Sequence, residues 1–247
     1  MIGLLIWKSP EKGKRQKRIT SEVCSVLQMR MLRVEILRGE KTPEAVLRRR
    51  VTASARAFRR VGVTEIVPPA EFAYLPQLEK EGVRAVSWLP LARALAGRLV
   101  RREVERLEMP PASVRVAVCG EALTGELVRT VRELALLYRY VLLEVPAGGE
   151  ELGRQLRREY GVSLLVNPGQ AQLEAVNVTV LFSPREGSAG RQGTVLPLYE
   201  GADLRLPALR LPPVLEEQLP PQVERTALLA ALHRCGAIRA EQLQLEP

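Results

Sequence analysis

The sequence predicts an α/β fold: a mostly parallel, doubly wound, Rossmann-like sheet of two similar βαβαβ halves, with a C-terminal edge hairpin and helix. Three observations support this prediction. Residues 114–146 show the pattern of strand, tight turn, amphipathic helix and second strand. A similar order of elements begins at residue 33. A chain of 247 residues with 46% hydrophobic side chains also has enough apolar material for a large core.

The stretch 114–146 has the clearest pattern. Its first strand, residues 114–119, is rich in valine and apolar on both faces, as expected for a parallel strand covered on two sides. Gly120 ends this strand, and Thr124 is placed to cap a helix. The helix has one apolar stripe, formed by Leu127, Val131, Leu134, Ala135 and Tyr138. Residues 140–145 form the next strand, so the unit is expected to be a right-handed parallel crossover.

Two segments of the chain match each other in register. RVEILRGEKTPE at 33–44 and RVAVCGEALTGE at 115–126 share an Arg-Val start, a Gly-Glu after the strand, and a Thr followed by Glu. The same order of landmarks continues between 61–69 and 138–146, and between 77–83 and 155–162. We interpret this as an internal repeat of two halves, 31–105 and 113–184. The alternative is that any two βα units need strand, turn, cap and helix in that order.

The composition divides the chain into three segments. Residues 1–30 contain seven Lys and Arg against two Glu, a large part of the net charge of +9. We predict that they form a basic, disordered N-terminal extension, and the sequence leaves open whether they belong to the native protein. Residues 31–205 are predicted to form the Rossmann-like domain. Residues 206–247 are predicted to be a proline-rich connector and a C-terminal helix that packs on the body.

Few side chains suited to catalysis are present. The chain has one histidine, one aspartate and two asparagines, and its three cysteines form no CxxC pair. A Ser-His-Asp triad would need His233 and Asp203, both in the C-terminal segment, and no metal site is predicted. No apolar run approaches the roughly 18 residues that span a bilayer, so a cytoplasmic protein without a membrane partner is expected.

The turn after residue 119 lacks two common phosphate-binding motifs. Gly120 and Gly125 have the spacing of a P-loop, but Glu126 and Leu127 occupy the positions of its Lys and Ser/Thr. The GxGxxG dinucleotide fingerprint is absent as well. The Gly-Glu pair is therefore interpreted first as a turn and only second as a binding loop.

A ligand crevice is predicted at the carboxyl edge of the sheet, where strand order reverses. If strands 33–37 and 115–119 are neighbours, six residues line this crevice: Gly39, Glu40 and Thr42 on one side, and Gly120, Glu121 and Thr124 on the other. Glu144, at the end of the next strand, is placed to meet a ribose hydroxyl, and the alternative is that it is a surface residue. Paired glutamates favour a cation or an amine- or hydroxyl-bearing ligand over a phosphate. The alternative is that both crevice glutamates are solvated turn residues.

Three functional hypotheses follow. The first is a module that binds a small-molecule ligand or a protein partner at the carboxyl edge without catalysis. The second is an enzyme that acts on a nucleotide- or sugar-type substrate with Glu40 and Glu121. The third is nucleic-acid binding through the basic tail and an arginine-rich helix containing Arg48, Arg49, Arg50, Arg56, Arg59 and Arg60. For these arginines the alternative is a solvated outer face. The sequence identifies no family, cofactor or catalytic residue.

Overall fold

The structure is a computed structural model that describes residues 1–11, 16–185 and 193–246. The chain divides into two compact units. The first unit contains Met1–Trp88 and Ala208–Glu246, and the second contains Leu89–Pro207. Each unit has its own mostly parallel sheet with helices between the strands, so the predicted Rossmann-like α/β class is confirmed. The structure adds that the strands form two such sheets.

The sheet of the first unit contains five strands. In chain order its elements are β1 (Ile2–Lys8), β2 (Ile19–Val26), β3 (Met29–Leu37), α1 (Glu44–Arg60), β4 (Glu65–Val67), α2 (Leu75–Lys80) and β5 (Arg84–Ala85). The strand order is β2-β3-β1-β4-β5. Among the described strand pairs of this sheet, only the hairpin β2–β3 is antiparallel, and its turn places Leu27 and Gln28 at positive φ. The other pairs are parallel, as the crossovers through α1 and α2 require.

The central strand of this sheet comes from the segment that was predicted to be disordered. That prediction is wrong for β1 and β2, because β1 lies between β3 and β4 and its Leu4 and Leu5 are buried. At Gly3 an added Cβ would lie 2.5 Å from Cε1 of Phe58, so α1 packs directly on the strand backbone. The lysines that dominate the composition of residues 1–30 begin only at Lys8, and the residues before it form an apolar strand.

The second unit has an all-parallel sheet. Its elements are α3 (Leu89–Ala94), α4 (Ala96–Arg106), β6 (Arg115–Cys119), α5 (Gly125–Leu137), β7 (Tyr140–Glu144), α6 (Gly149–Tyr160), β8 (Leu164–Val166), α7 (Gln170–Glu174), β9 (Val178–Leu181) and β10 (Thr194–Pro197). The strand order is β10-β9-β6-β7-β8. If the strands of this unit are numbered from β6 as 1 to β10 as 5 and read from the β8 edge, the order is 3-2-1-4-5, which is the Rossmann arrangement. Strand order reverses between β6 and β9.

The predicted halves have the same element order but different strand pairing. Both β3-α1-β4-α2-β5 and β6-α5-β7-α6-β8 follow a βαβαβ order. In the second unit the three strands are direct neighbours, whereas in the first β1 separates β3 from β4. The internal repeat therefore stays a prediction. The expected pairing of strands 33–37 and 115–119 is wrong, because β3 and β6 belong to different sheets.

The C-terminal segment completes the first unit. It contains β11 (Leu209–Arg210), α8 (Pro213–Glu216), α9 (Arg225–Arg234) and β12 (Gln244–Leu245), and β11 pairs antiparallel with β12. The helix α9 packs against β4, and its Arg234 donates hydrogen bonds of 3.1 and 2.7 Å to the carboxylate of Glu65. Among the helices that the structure describes, none is both long and apolar enough to cross a bilayer.

The ion pair between α9 and β4 is expected to make the stability of the first unit depend on pH. Hydrogen bonding from Arg234 holds the pKa of Glu65 below its ordinary value, although partial burial opposes this shift. A lowered pKa stabilises the fold above the unfolded value of about 4.3, and the contribution is lost as pH falls through the folded value. We expect Glu65→Gln to cost about 1 kcal/mol at pH 7 and less at pH 3.5. Urea unfolding at both pH values measures this.

A matched control for this prediction is Glu217→Gln, since Glu217 is exposed at the end of α8. This control is expected to leave the free energy of unfolding almost unchanged at both pH values. An equal loss of stability at pH 7 and pH 3.5 for Glu65→Gln would contradict the assignment to the ionised carboxylate.

Candidate ligand-binding site

The carboxyl edge of the second sheet surrounds a pocket of about 390 Å³. It lies beside the reversal of strand order between β6 and β9, where open α/β sheets bind their ligands. Four strand ends contribute to its lining. The residues are Cys119 at the end of β6 with Gly120 and Glu121 after it, Glu144 at the end of β7 with Val145 and Pro146 after it, Asn167 and Pro168 after β8, and Ser183, Pro184 and Arg185 after β9. The pocket is therefore built within one sheet.

Glu144 is the principal acceptor in this pocket. It is the last residue of β7 and pairs in register with Cys119, so the two side chains share one face of the sheet. The thiol of Cys119 donates to Oε2 of Glu144, with the two atoms 3.6 Å apart. Arg185, just after β9, forms an ion pair with the same carboxylate. A carboxylate held between a thiol and a guanidinium at a sheet edge is well placed to accept hydrogen bonds from ligand hydroxyls.

The turn after β6 is shaped by packing. A Cβ added at Gly120 would lie 2.5 Å from Cδ1 of Leu127, so a larger residue here would displace that leucine from the core. Thr124 caps α5 through its hydroxyl oxygen, which accepts from the backbone N–H of Leu127 at 3.2 Å. Gly120 and Gly125 occupy the first and third positions of a GxGxxG pattern, and Ala122 replaces the second glycine. The second position is where the backbone comes closest to a pyrophosphate, so this turn is less open than the dinucleotide motif.

Asn167 fixes the neighbouring part of the edge. Its φ of 44° is in the left-handed region, which asparagine tolerates better than most residues. Its side-chain Oδ1 accepts from the backbone N–H of Val145 at 3.0 Å. The end of β7 and the residue after β8 are thereby joined, so the pocket wall next to Glu144 is held by a hydrogen bond as well as by the strand ladder.

Arg93 in α3 joins three elements at the same end of the sheet. Its Nε donates to the carbonyl of Leu198 at 2.9 Å, Nη2 donates to the carbonyl of Phe182 at 3.3 Å, and Nη1 donates to Oε2 of Glu126 at 3.0 Å. Its guanidinium also lies 5.5 Å from the ring centroid of Phe182. One side chain thus connects the ends of β9 and β10 to the first turn of α5. Sequence reasoning missed this residue, because nothing local distinguishes it from the other arginines.

The structure brings together only part of the predicted site. Gly120, Glu121 and Glu144 line the pocket, whereas Thr124 acts as a helix cap. The remaining three predicted residues, Gly39, Glu40 and Thr42, belong to the first unit and follow β3. There the N–H of Gly39 donates to Oγ1 of Thr42 at 2.9 Å, which closes a turn. The shared crevice was expected because the two Gly-Glu turns look alike in sequence, but their strands are in different sheets.

Arg185 is a further residue of this pocket that sequence reasoning did not predict as a ligand-binding residue. Its role as the counter-ion of Glu144 depends on β7 and β9 lying on either side of β6, which the sequence does not specify. Within the described residues, no cluster of three or more His, Cys, Asp or Glu side chains is arranged to hold a metal ion.

The second unit is thus a Rossmann-like α/β module with a polar pocket at the carboxyl edge of its sheet. No protein-family model matches the sequence, and comparison with curated proteins finds no match either. Solved structures with local similarity include the A chain of dipicolinate synthase from Bacillus subtilis, with a TM-score of 0.33 and 13% identity over 49% of this chain and 42% of that chain. L-tryptophan dehydrogenase from Nostoc punctiforme has a TM-score of 0.32 and 13% identity over 67% and 50%.

The catalytic subunit of aspartate transcarbamoylase from M. jannaschii has a TM-score of 0.30 and 11% identity over 60% of this chain and 51% of that chain. The chain therefore spans about half or less of the length of these proteins. Similarity at this level does not indicate a function, so the function is inferred from the residues of the site.

Proposed function

We propose that the second unit binds a small hydroxyl-bearing ligand, of the nucleoside or sugar type, in the pocket at its carboxyl edge. The observation that carries this proposal is the meeting of Glu144 and Arg185 in one pocket beside the reversal of strand order. Glu144 accepts hydrogen bonds from a pair of ligand hydroxyls, and Arg185 compensates the carboxylate charge. A pocket of about 390 Å³ is within the usual range for small-molecule sites, toward its lower end.

The charges of the pocket favour an uncharged part of the ligand over a phosphate. Two carboxylates, Glu121 and Glu144, line it together with one guanidinium, that of Arg185. The turn after β6 lacks a lysine at the P-loop position, where Glu126 stands instead. A phosphate in this pocket would meet net negative charge, whereas hydroxyl groups would find acceptors.

The other two hypotheses have weaker support. The enzyme hypothesis combined Glu40 with Glu121, and these residues belong to different units. The nucleic-acid hypothesis used the arginines of α1, several of which have partners within the fold. Arg48 pairs with Glu44, Arg56 with Glu81, and Arg50 donates to the carbonyl of Leu37. We therefore favour recognition of a small ligand, and both alternatives remain predictions.

Calorimetric titration of the full chain with adenosine, uridine, ribose and glucose tests this proposal. We expect at least one of these ligands to bind, and Glu144→Gln to weaken its binding about tenfold or more. The reason is that hydrogen bonds to a charged group contribute about 1.5–3 kcal/mol, and 1.4 kcal/mol is a factor of ten in affinity. Glu150→Gln in the exposed first turn of α6 is the matched control.

The control variant is expected to bind the same ligand with unchanged affinity. If Glu144→Gln binds as tightly as the natural sequence, the ligand does not use this carboxylate. If none of the four compounds binds, the proposed ligand class is wrong.

A further inference from the structure

Within the part of the chain that the structure describes, one face of the second sheet is only partly covered by helices. Side chains that pair in register share a face, which places Tyr140 beside Arg115 and Leu165 beside Leu142. On this face Leu142 packs with Leu173 of α7 in a hydrophobic cluster. Because α7 contains only five residues, its cover is short. A parallel sheet normally has both faces covered, so the open part of this face requires an explanation.

The uncovered part forms a groove of about 730 Å³ near the amino ends of the strands. Tyr140 is 43% exposed and Leu165 is 42% exposed, although both belong to strands of a parallel sheet. None of the residues that line this groove also lines the pocket at the carboxyl edge. The groove is therefore a separate feature, which the proposed function does not use. We call Arg115, Arg139, Tyr140 and Leu165 the β7–β8 surface.

The charge of this surface has one sign. The guanidinium carbons of Arg115 and Arg139 lie 5.9 and 5.5 Å from the centroid of the Tyr140 ring. The described residues that line the groove include these two arginines and no aspartate or glutamate. Tyrosine and arginine are enriched at the centres of protein interfaces, and the exposed leucine adds apolar contact area beside them. The positive charge of the two arginines favours an acidic binding partner.

The position of β8 indicates the shape of the partner. β8 is an edge strand whose described pairing is to β7 alone, so its outer backbone groups remain available within the described sheet. An extended segment can add to such an edge and place every second side chain on the face of the sheet that carries Arg115, Tyr140 and Leu165. A second copy of the chain fits less well, since it would bring the same two arginines and a net charge of +9.

We propose that the β7–β8 surface binds an extended, acidic segment of a partner protein, in which apolar side chains and carboxylates alternate along the side that faces this surface. The apolar side chains pack on Tyr140 and Leu165, and the carboxylates pair with Arg115 and Arg139. This binding is independent of the small-ligand pocket at the opposite edge of the sheet.

Fluorescence anisotropy with the full chain tests this proposal. The probe is a labelled ten-residue peptide, called the Glu-Leu peptide, in which every second residue is Glu and Leu in turn, with Ser between them. It is compared with a Lys-Leu peptide of the same pattern and with a Glu-Ser peptide in which Ser replaces each Leu. We expect only the Glu-Leu peptide to bind, with an affinity that falls as salt increases. The double variant Arg115→Glu with Arg139→Glu is expected to lose at least 20-fold in affinity. Leu165→Ser is expected to lose about tenfold.

Two controls match these variants in charge and in chemistry. Arg129→Glu with Arg132→Glu makes the same charge change on the exposed side of α5, and Leu107→Ser changes an exposed leucine after α4. Both are expected to bind the Glu-Leu peptide normally. Slower amide hydrogen exchange at residues 164–166 in the complex would support addition to β8.

Four outcomes would overturn the proposal. Absence of binding to the Glu-Leu peptide is one, and equal binding of the Glu-Ser peptide is another, because the contact would then be purely electrostatic. Equal losses in the control variants would show that net charge alone matters. Self-association of the chain that Leu165→Ser abolishes would identify a second copy as the occupant. Adenosine is also titrated into each variant to measure whether the carboxyl-edge pocket is unchanged. A loss of peptide binding with unchanged adenosine titration is then assigned to the β7–β8 surface alone.

Discussion

Replacing Leu5 with alanine is expected to lower the free energy of unfolding of the first unit by about 3 kcal/mol. Leu5 lies in β1, the central strand of its sheet, and is fully buried in the core with Val34 and Phe58. Removing its side chain leaves a cavity between the sheet and α1, and well-packed surroundings close such a cavity only partly. Urea unfolding followed by circular dichroism measures the change.

The matched control for this substitution lies in the same 30-residue segment. Val23 in β2 is 53% exposed, so Val23→Ala is expected to change the free energy of unfolding by less than about 0.5 kcal/mol. If Leu5→Ala changed the free energy of unfolding as little as Val23→Ala, residues 1–8 would not be part of the folded body. The prediction of a disordered extension would then be correct.

Replacing Arg93 with alanine is expected to destabilise the second unit by about 3 kcal/mol, the second large effect. The side chain is only 23% exposed, and its guanidinium donates to two backbone carbonyls and to Glu126. Without it, the carbonyls of Leu198 and Phe182 lose a donor that carries charge. Hydrogen bonds to charged groups contribute about 1.5–3 kcal/mol each. Because the bonds of one side chain are not additive, the expected loss for all three is smaller than their sum. Chemical unfolding of the second unit measures it.

Two further variants distinguish the geometry of Arg93 from its charge. Arg93→Lys keeps the charge but cannot reproduce the planar fork that reaches three acceptors, so an intermediate loss is expected. Arg129→Ala removes an exposed arginine on α5 and is expected to have little effect. A full recovery with lysine would show that the charge alone matters.

Much of the second unit could be predicted from the sequence because its signals are local. The valine-rich strand before Gly120, the cap at Thr124 and the apolar stripe of α5 all lie within a few residues of the elements that they specify. Glu144 was predicted as a candidate for the same reason, since the end of a strand is visible in the sequence. The structure adds its partners Cys119 and Arg185.

The first unit was harder to predict because its central strand, β1, lies next to a cluster of lysines. The average composition of residues 1–30 suggested a basic tail, whereas burial depends on the position of each side chain. Residues 2–7 are too few to span a membrane but sufficient for a strand. The charged residues begin where β1 ends, so an average over the segment concealed the strand.

The sequence by itself determined the α/β class, the strand–helix–strand unit of residues 114–146, and the presence of a polar turn at Gly120. Only the tertiary structure decided that β1 separates β3 from β4, that β3 and β6 belong to different sheets, and that Arg93 joins three elements. The physical reason is that strand pairing and side-chain contacts join residues far apart in the chain. A buried apolar strand has the same local pattern whichever strand lies beside it.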